Sequence, residues 1–248
     1  MNSKPKYEPI APDAVHVWRG FQTPEKTYEE FVDFLGSVFV PACSLLQPNI
    51  GLHGYVPSLP NHENKPATVP DQTALMFWES PEIYKAGFRT VAVRSYTSMH
   101  TLVYNTETSK SGFPIAYDGK LAVDQPYYLI DKKSDWMSGT VHHLVGYKKE
   151  DQSNEEFLNL INEWAKDYSS PNADGALLCV AEDYVVFWEH FPRQGRKPSS
   201  KFQKLANSVT PFLDETAKNF VLPAGLWDAW KGIDLIKENC INVQLDRP

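Results

Sequence analysis

The chain is short of most features that make chemistry legible at a glance. Only three cysteines occur, Cys43, Cys179 and Cys240. Far apart and odd in number, they form no metal-spaced pair and no disulfide framework, which suits a reducing compartment. No apolar run approaches the length needed to cross a bilayer. The opening residues MNSKPKYEPIAPDA lack the apolar stretch of a secretory signal. Positive charge is scarce: 24 Lys and Arg against 31 Asp and Glu leave a net charge of −7. Nucleic acid and anionic membranes therefore gain no general attraction to it. P-loop, paired-glycine, HExxH, CxxC and GxSxG motifs are missing, which removes the usual anchors for ATP, pyridine nucleotide, zinc-peptidase and serine-hydrolase chemistry. These absences predict a cytoplasmic, mildly acidic protein with neither nucleic acid nor membrane as partner; monomer or homodimer is the expected state.

What is present is a pattern written twice. A 248-residue chain with 42% hydrophobic and 13% aromatic residues can bury a substantial core. Residues 15–31, VHVWRGFQTPEKTYEEF, align with 141–157, VHHLVGYKKEDQSNEEF, at a constant offset of 126. Val15, His16, Gly20, Glu29, Glu30 and Phe31 meet identical residues in the second window. Random pairing gives roughly one identity over such a length. Phe-Trp-Glu recurs at Phe77–Glu79 and Phe187–Glu189 at a shorter offset. A repeat of this size is one folded unit used twice.

Each copy reads as strand, helix, strand, strand, helix, strand. In the first, Ala14–Phe21 is a strand and a helix runs from about Glu25 to Val40, where Pro41 kinks or ends it. Ile50–Val56 and Gln72–Glu79 are strands around a proline-rich loop. Ser80-Pro81 opens the next helix. Thr90–Tyr96 is β-branched enough for a strand, although its position calls for helix. Gln125–Asp131 is the expected fourth strand and Ser109–Lys120 an insertion or lid. In the second, Thr140–Lys148 is a strand, Ser153 with Glu156 forms a capping box, and Asp174–Ala181 with Tyr184–His190 form a hairpin. Lys201–Phe220 is helical, broken near Thr210-Pro211, and Asn239–Leu245 closes the unit. The fold class is α+β: two tandem ferredoxin-like βαββαβ units, 12–135 and 139–248, whose antiparallel sheets pack face to face.

Two such units in one chain resemble the dimeric α/β-barrel superfamily, with its antibiotic-biosynthesis monooxygenase-like, stress-responsive barrel, EthD-like and chlorite dismutase-like families. The resemblance spans roughly residues 12–248 and is one of pattern rather than motif. It implies a cavity enzyme for a small, hydrophobic or aromatic molecule. Some members act without a cofactor, and the chlorite dismutase-like branch holds haem.

Strand alternation nominates the site. If the valines pack on the helices, His16, Trp18, His142 and Leu144 face a cavity between the sheets. His16 and His142 are candidate bases, or structural histidines repeated with the unit. His53 and Tyr55, two apart on one strand, are a candidate polarising pair. Trp18 and Trp78 are candidate walls, and Glu79 could orient a histidine. If Ile83–Tyr104 is helical, Tyr96, His100 and Tyr104 share one face, and the resemblance would make His100 the axial ligand of a haem. The leading expectation is cofactor-independent acid/base chemistry of a monooxygenase, cyclase or isomerase type, with no metal. The alternatives are a haem protein and a non-catalytic carrier.

Overall fold

A computed structural model describes residues 14–46, 50–130, 134–222 and 229–245. Residues 12 and 13 of the first expected unit, and Asp131, lie outside them. β1 (Ala14–Gly20) leads to a helix in three parts: α1 (Tyr28–Phe34), a π-helical turn (Leu35–Phe39) and α2 (Val40–Leu46). Next come β2 (Leu52–Ser58), β3 (Gln72–Trp78), α3 (Pro81–Gly87), α4 (Val91–Met99) and a 3-10 turn (His100–Leu102). Three short strands follow: β4 (Lys110–Gly112), β5 (Ile115–Ala116) and β6 (Pro126–Ile130). The second half holds β7 (Thr140–Tyr147), α5 (Asn154–Lys166), β8 (Gly175–Val180), β9 (Tyr184–Phe191) and α6 (Ser200–Ser208). It ends with β10 (Thr210–Thr216), β11 (Lys218–Leu222), α7 (Ala229–Lys237) and β12 (Ile241–Leu245).

Local chemistry fixes the helix starts. Thr27 caps α1 and Ser153 caps α5, each in a reciprocal capping box with the glutamate three residues on, Glu30 and Glu156. Both caps satisfy amide groups that a helix N-terminus leaves without partners. The first helix thus starts at Tyr28 rather than near Glu25. Nor does Pro41 end it. Proline has no N–H and its ring crowds the carbonyl four residues back; the π turn immediately before it widens the helix there, and α2 continues to Leu46.

The sheets are two α+β layers with matching central orders. The first runs β11-β12-β2-β3-β1-β4, the second β10-β7-β9-β8-β6-β5. Neighbours are antiparallel except at one outer pair in each, β11 with β12 and β5 with β6. Apolar side chains from both sheets, among them Val15, Val17, Leu75, Val141, Val186 and Trp188, form one core layer between them. This is the fused α/β-barrel arrangement, with helices outside.

Three expectations are corrected here. Gln125–Asp131 contains a strand, β6, but it pairs with β8 of the second sheet; the fourth strand beside β1 is β4, inside the stretch read as a lid. Asn239–Leu245 likewise contains β12, which pairs with β2 of the first sheet. The fourth strand beside β7 is β10, within the segment read as helix. Pro211 is tolerated because β10 is an edge strand, where a missing N–H leaves no neighbour unpaired. Thr90–Tyr96 falls in helix, α4, capped by the Thr90 hydroxyl.

The recurring Phe-Trp-Glu is also out of register. His16 lies opposite Met76, whereas His142 lies opposite Glu189. The tripeptides are therefore displaced by an odd number of positions, which turns every side chain to the other face. Trp78 packs on the helix side of its sheet and Trp188 between the sheets.

Candidate active site

Val15, Val17, Val141 and Val145, not His16 and His142, fill the space between the sheets. β-Branched side chains interdigitate in a thin layer, and the aromatic set on the alternate face meets the helices instead. The expected cavity between the sheets is consequently packed core. Across the β1–β3 pair, His16, Trp18, Met76 and Trp78 share the face turned toward α3 and α4. A cavity of about 550 Å³ lies there, walled by these four and by Tyr84, Phe88, Val93, Tyr96 and His100. Thr97, Ser98, Thr101, Thr106, Ser109 and Ser111 complete the lining, so the cavity combines apolar walls with a few polar groups, as small-molecule sites do. A larger hollow, about 740 Å³, is an open groove lined by Lys26, Lys65, Asp71, Asp124 and Asp183, with no histidine on it.

Five expected site residues therefore converge: His16, Trp18, Trp78, Tyr96 and His100. His16 is 5% exposed, its ring 4.7 Å from Tyr84 and 4.9 Å from Phe113. Its Nδ1 is buried without a hydrogen-bond partner, and so is Nε1 of Trp78. Leaving buried polar atoms unpaired is costly. Burial, and secondarily the charge of His100, lowers the His16 pKa to about 4, which keeps its imidazole neutral at pH 7. His100 uses Nδ1 to bond the Thr97 carbonyl at 3.1 Å, and its ring is enclosed by Trp18, Phe39 and Tyr96. Burial lowers its pKa too, against two backbone hydrogen bonds that raise it.

Other expected residues stand elsewhere. Glu79 is exposed just beyond β3, its N–H bonded to the Gly51 carbonyl. His53 is buried at a bulge in β2 between Leu52 and Gly54, which breaks the alternation that would align it with Tyr55. Tyr55 ends a buried chain behind Trp18: the Tyr104 hydroxyl donates to Gln72 Oε1, and Gln72 Nε2 donates to the Tyr55 oxygen at 3.0 Å. Tyr96, His100 and Tyr104 do cluster, with ring centroids 5.1 and 5.9 Å apart along the series.

His142 occupies a filled counterpart of the cavity. Its Nε2 donates to the Arg196 carbonyl at 2.9 Å, and Nδ1 accepts from the Thr216 hydroxyl at 2.9 Å. Phe191 and Phe202 close over the ring. Glu189, fully buried, accepts from the Tyr168 hydroxyl and from the Ser199 N–H that opens α6.

Sequence reasoning missed Met76, Tyr84, Phe88 and Phe113. Met76 was within reach, since it lies on the same alternation as Trp78. Tyr84 sits one turn inside a Ser-Pro helix start, where the first inward side chain falls. Phe113 follows β4, whose pairing no local pattern announces. Among the described residues no group of three or more His, Cys, Asp or Glu is placed to hold a metal ion, and no helix is long and apolar enough to cross a membrane.

No protein-family model and no curated protein matches the chain. Solved structures similar to it include a candidate monooxygenase from Lactobacillus acidophilus NCFM at 7% identity and TM-score 0.34, covering 82% of this chain and 90% of that one. A second candidate monooxygenase, from Fusobacterium nucleatum subsp. nucleatum ATCC 25586, has 10% identity and TM-score 0.34, covering 84% and 95%. An anthrone oxidase-like protein has 11% identity and TM-score 0.31, covering 89% and 99%. At such values the chemistry of the cavity rests on its own geometry.

Proposed function

We propose that the chain is a small-molecule enzyme that moves a proton at an activated carbon of a hydrophobic, aromatic carbonyl compound, without a resident cofactor. The observation that carries this reading is the pair of buried, unpartnered polar atoms, His16 Nδ1 and Trp78 Nε1, on residues that line a cavity of aromatic rings and Ser and Thr side chains. His16 accepts the proton. Because its imidazole is weakly basic where it sits, the carbon must be one whose anion is strongly delocalised, such as a methylene flanked by hydroxylated rings and a ketone. The Trp78 N–H donates to the oxygen on which charge develops. The carbanion can then return its proton elsewhere, giving isomerisation. With dioxygen as co-reactant, the CH2 instead becomes C=O, one oxygen atom being retained and the other leaving as water with both hydrogens.

The lining supports this over a haem. His100 is present, yet no lysine or arginine lines the cavity to pair with propionates, and aromatic rings enclose the imidazole. We also read the two halves as copies of one ancestral unit, on the matching sheet orders and the equivalent capping boxes, with the catalytic role kept by the first.

The test uses a hydroxylated anthrone in deuterated buffer, with carbon-bound hydrogen exchange followed by NMR and oxygen uptake by electrode. His16→Ala should slow exchange by about 10²–10⁴, the usual cost of removing a positioned base. Binding of the probe with no exchange beyond buffer, in both proteins, would instead establish a carrier.

A further inference from the structure

The net charge of −7 is not evenly spread. From Ile83 to Thr106 the chain has no aspartate or glutamate, although it holds 31 in all. Over the same stretch Lys85, Arg89 and Arg94 are exposed, and none makes an ion pair among the described residues. This stretch covers the cavity: α3 beyond its exposed first-turn Glu82, then α4 and the 3-10 turn. Three of the large apolar side chains exposed on the described surface also lie on it, Phe88 at 39%, Val91 at 71% and Leu102 at 53%. Helical spacing places Val91, Arg94, Ser95 and Leu102 on the outer face, while Val93, Tyr96 and His100 point inward. Phe88 is exposed and lines the cavity at once, so the apolar patch is continuous with the cavity mouth.

We infer that this cover is a docking surface for an anionic lipid bilayer, from which the hydrophobic ligand enters the cavity without crossing water. The basic side chains meet the headgroups, and Val91, Leu102 and Phe88 insert at the boundary with the acyl chains. The acidic remainder of the surface is repelled and turns away, so one orientation results, mouth to membrane. The contact is peripheral and reversible, since three cations and three apolar side chains are few. The choice of ligand rests on the cavity reading above; the docking itself does not.

Vesicle sedimentation tests it. The whole protein should pellet with phosphatidylcholine vesicles containing one third phosphatidylglycerol, remain in solution with phosphatidylcholine alone, and be released by molar salt. The combined variant Lys85→Gln, Arg89→Gln, Arg94→Gln should lose affinity on the order of a hundredfold, each basic group near the surface giving roughly fivefold. Val91→Ser and Leu102→Ser should each weaken binding roughly tenfold. All five positions are exposed, so circular dichroism should be unchanged. His16→Ala should pellet like the parent, which separates this test from that of the reaction. Absence of pelleting with the anionic vesicles would overturn the proposal and leave the patch to an acidic protein. Equal pelleting of the charge variant would overturn it as well.

Discussion

Two buried histidines one residue apart in the second half, His142 and His143, show how little a histidine means without its neighbours. His142 has both ring nitrogens bonded. His143 stacks on Trp188 at 4.6 Å between the sheets, with Thr73 of the opposite sheet 3.3 Å from its Nε2. Burial depresses the His143 pKa to about 3 and, with the charge of His100, that of His16 to about 4. An unfolded chain takes up these protons near 6.5. Between pH 6.5 and about 4 the unfolded state therefore binds more protons than the folded one, and stability falls as pH falls. Each imidazole costs the fold on the order of 3 kcal/mol at pH 4 relative to neutrality. His143→Phe preserves the stack and removes one titration. Its melting temperature should fall less between pH 7 and pH 4 than the parent's, measured by differential scanning calorimetry; parallel curves would show that His143 does not titrate with unfolding.

At the scale of elements, the helix of the first unit is shaped from both ends of the chain. Gly36, in the π turn, lies under α7, and a Cβ there would come within 2.6 Å of Ile233 Cα and 2.8 Å of its N. Backbone cannot give way as a side-chain end can. Gly36→Ala should destabilise by about 1–3 kcal/mol, as overpacking does. Val38→Ala, two residues on and partly exposed, should change stability within about 0.5 kcal/mol; urea midpoints compare them. Equal effects would mean that α7 shifts freely on the helix.

Elements of this kind were legible in the sequence wherever the signal was local. The capping box of Ser153 and Glu156, the alternation of β1 and β7 and the Ser80-Pro81 helix start are of that sort. β6 and β12 were recognisable as strands, but not their partners, because a strand's own alternation says nothing of which sheet edge receives it. Face choice failed for a related reason: in Val-His-Val-Trp both alternate sets are apolar enough to be buried, and only the packing of the whole decides. His16, Trp18 and Trp78 nevertheless share one face, because alternation keeps them together whichever way the face turns.

The whole molecule is tied by reciprocal exchange of edges. The segment 12–135 sends β6 to the second sheet, and 139–248 returns β12 to the first. The connection between them is no loose linker. Trp136 is buried, stacks at 6.1 Å on Phe77, and its carbonyl accepts from Asn242 Nδ2 at 2.8 Å. At the far end Arg19 of β1, 1% exposed, reaches Asp124 at 2.6 Å and the Tyr184 hydroxyl at 3.3 Å. Each half alone would expose a bare sheet edge and the apolar inter-sheet face, and the first would lose the Tyr184 hydroxyl from its buried Arg19, a combination that favours aggregation over folding. A chain divided within 131–133 should thus give two fragments that are insoluble or molten when expressed singly. Expressed together they should form a one-to-one complex, because every exchanged strand still finds its edge. Size-exclusion chromatography and the near-ultraviolet circular dichroism of the buried tryptophans would read this directly. Fragments that fold separately, each with a cooperative thermal transition, would show that the exchange is an ornament on two self-sufficient domains and not the bond that makes them one.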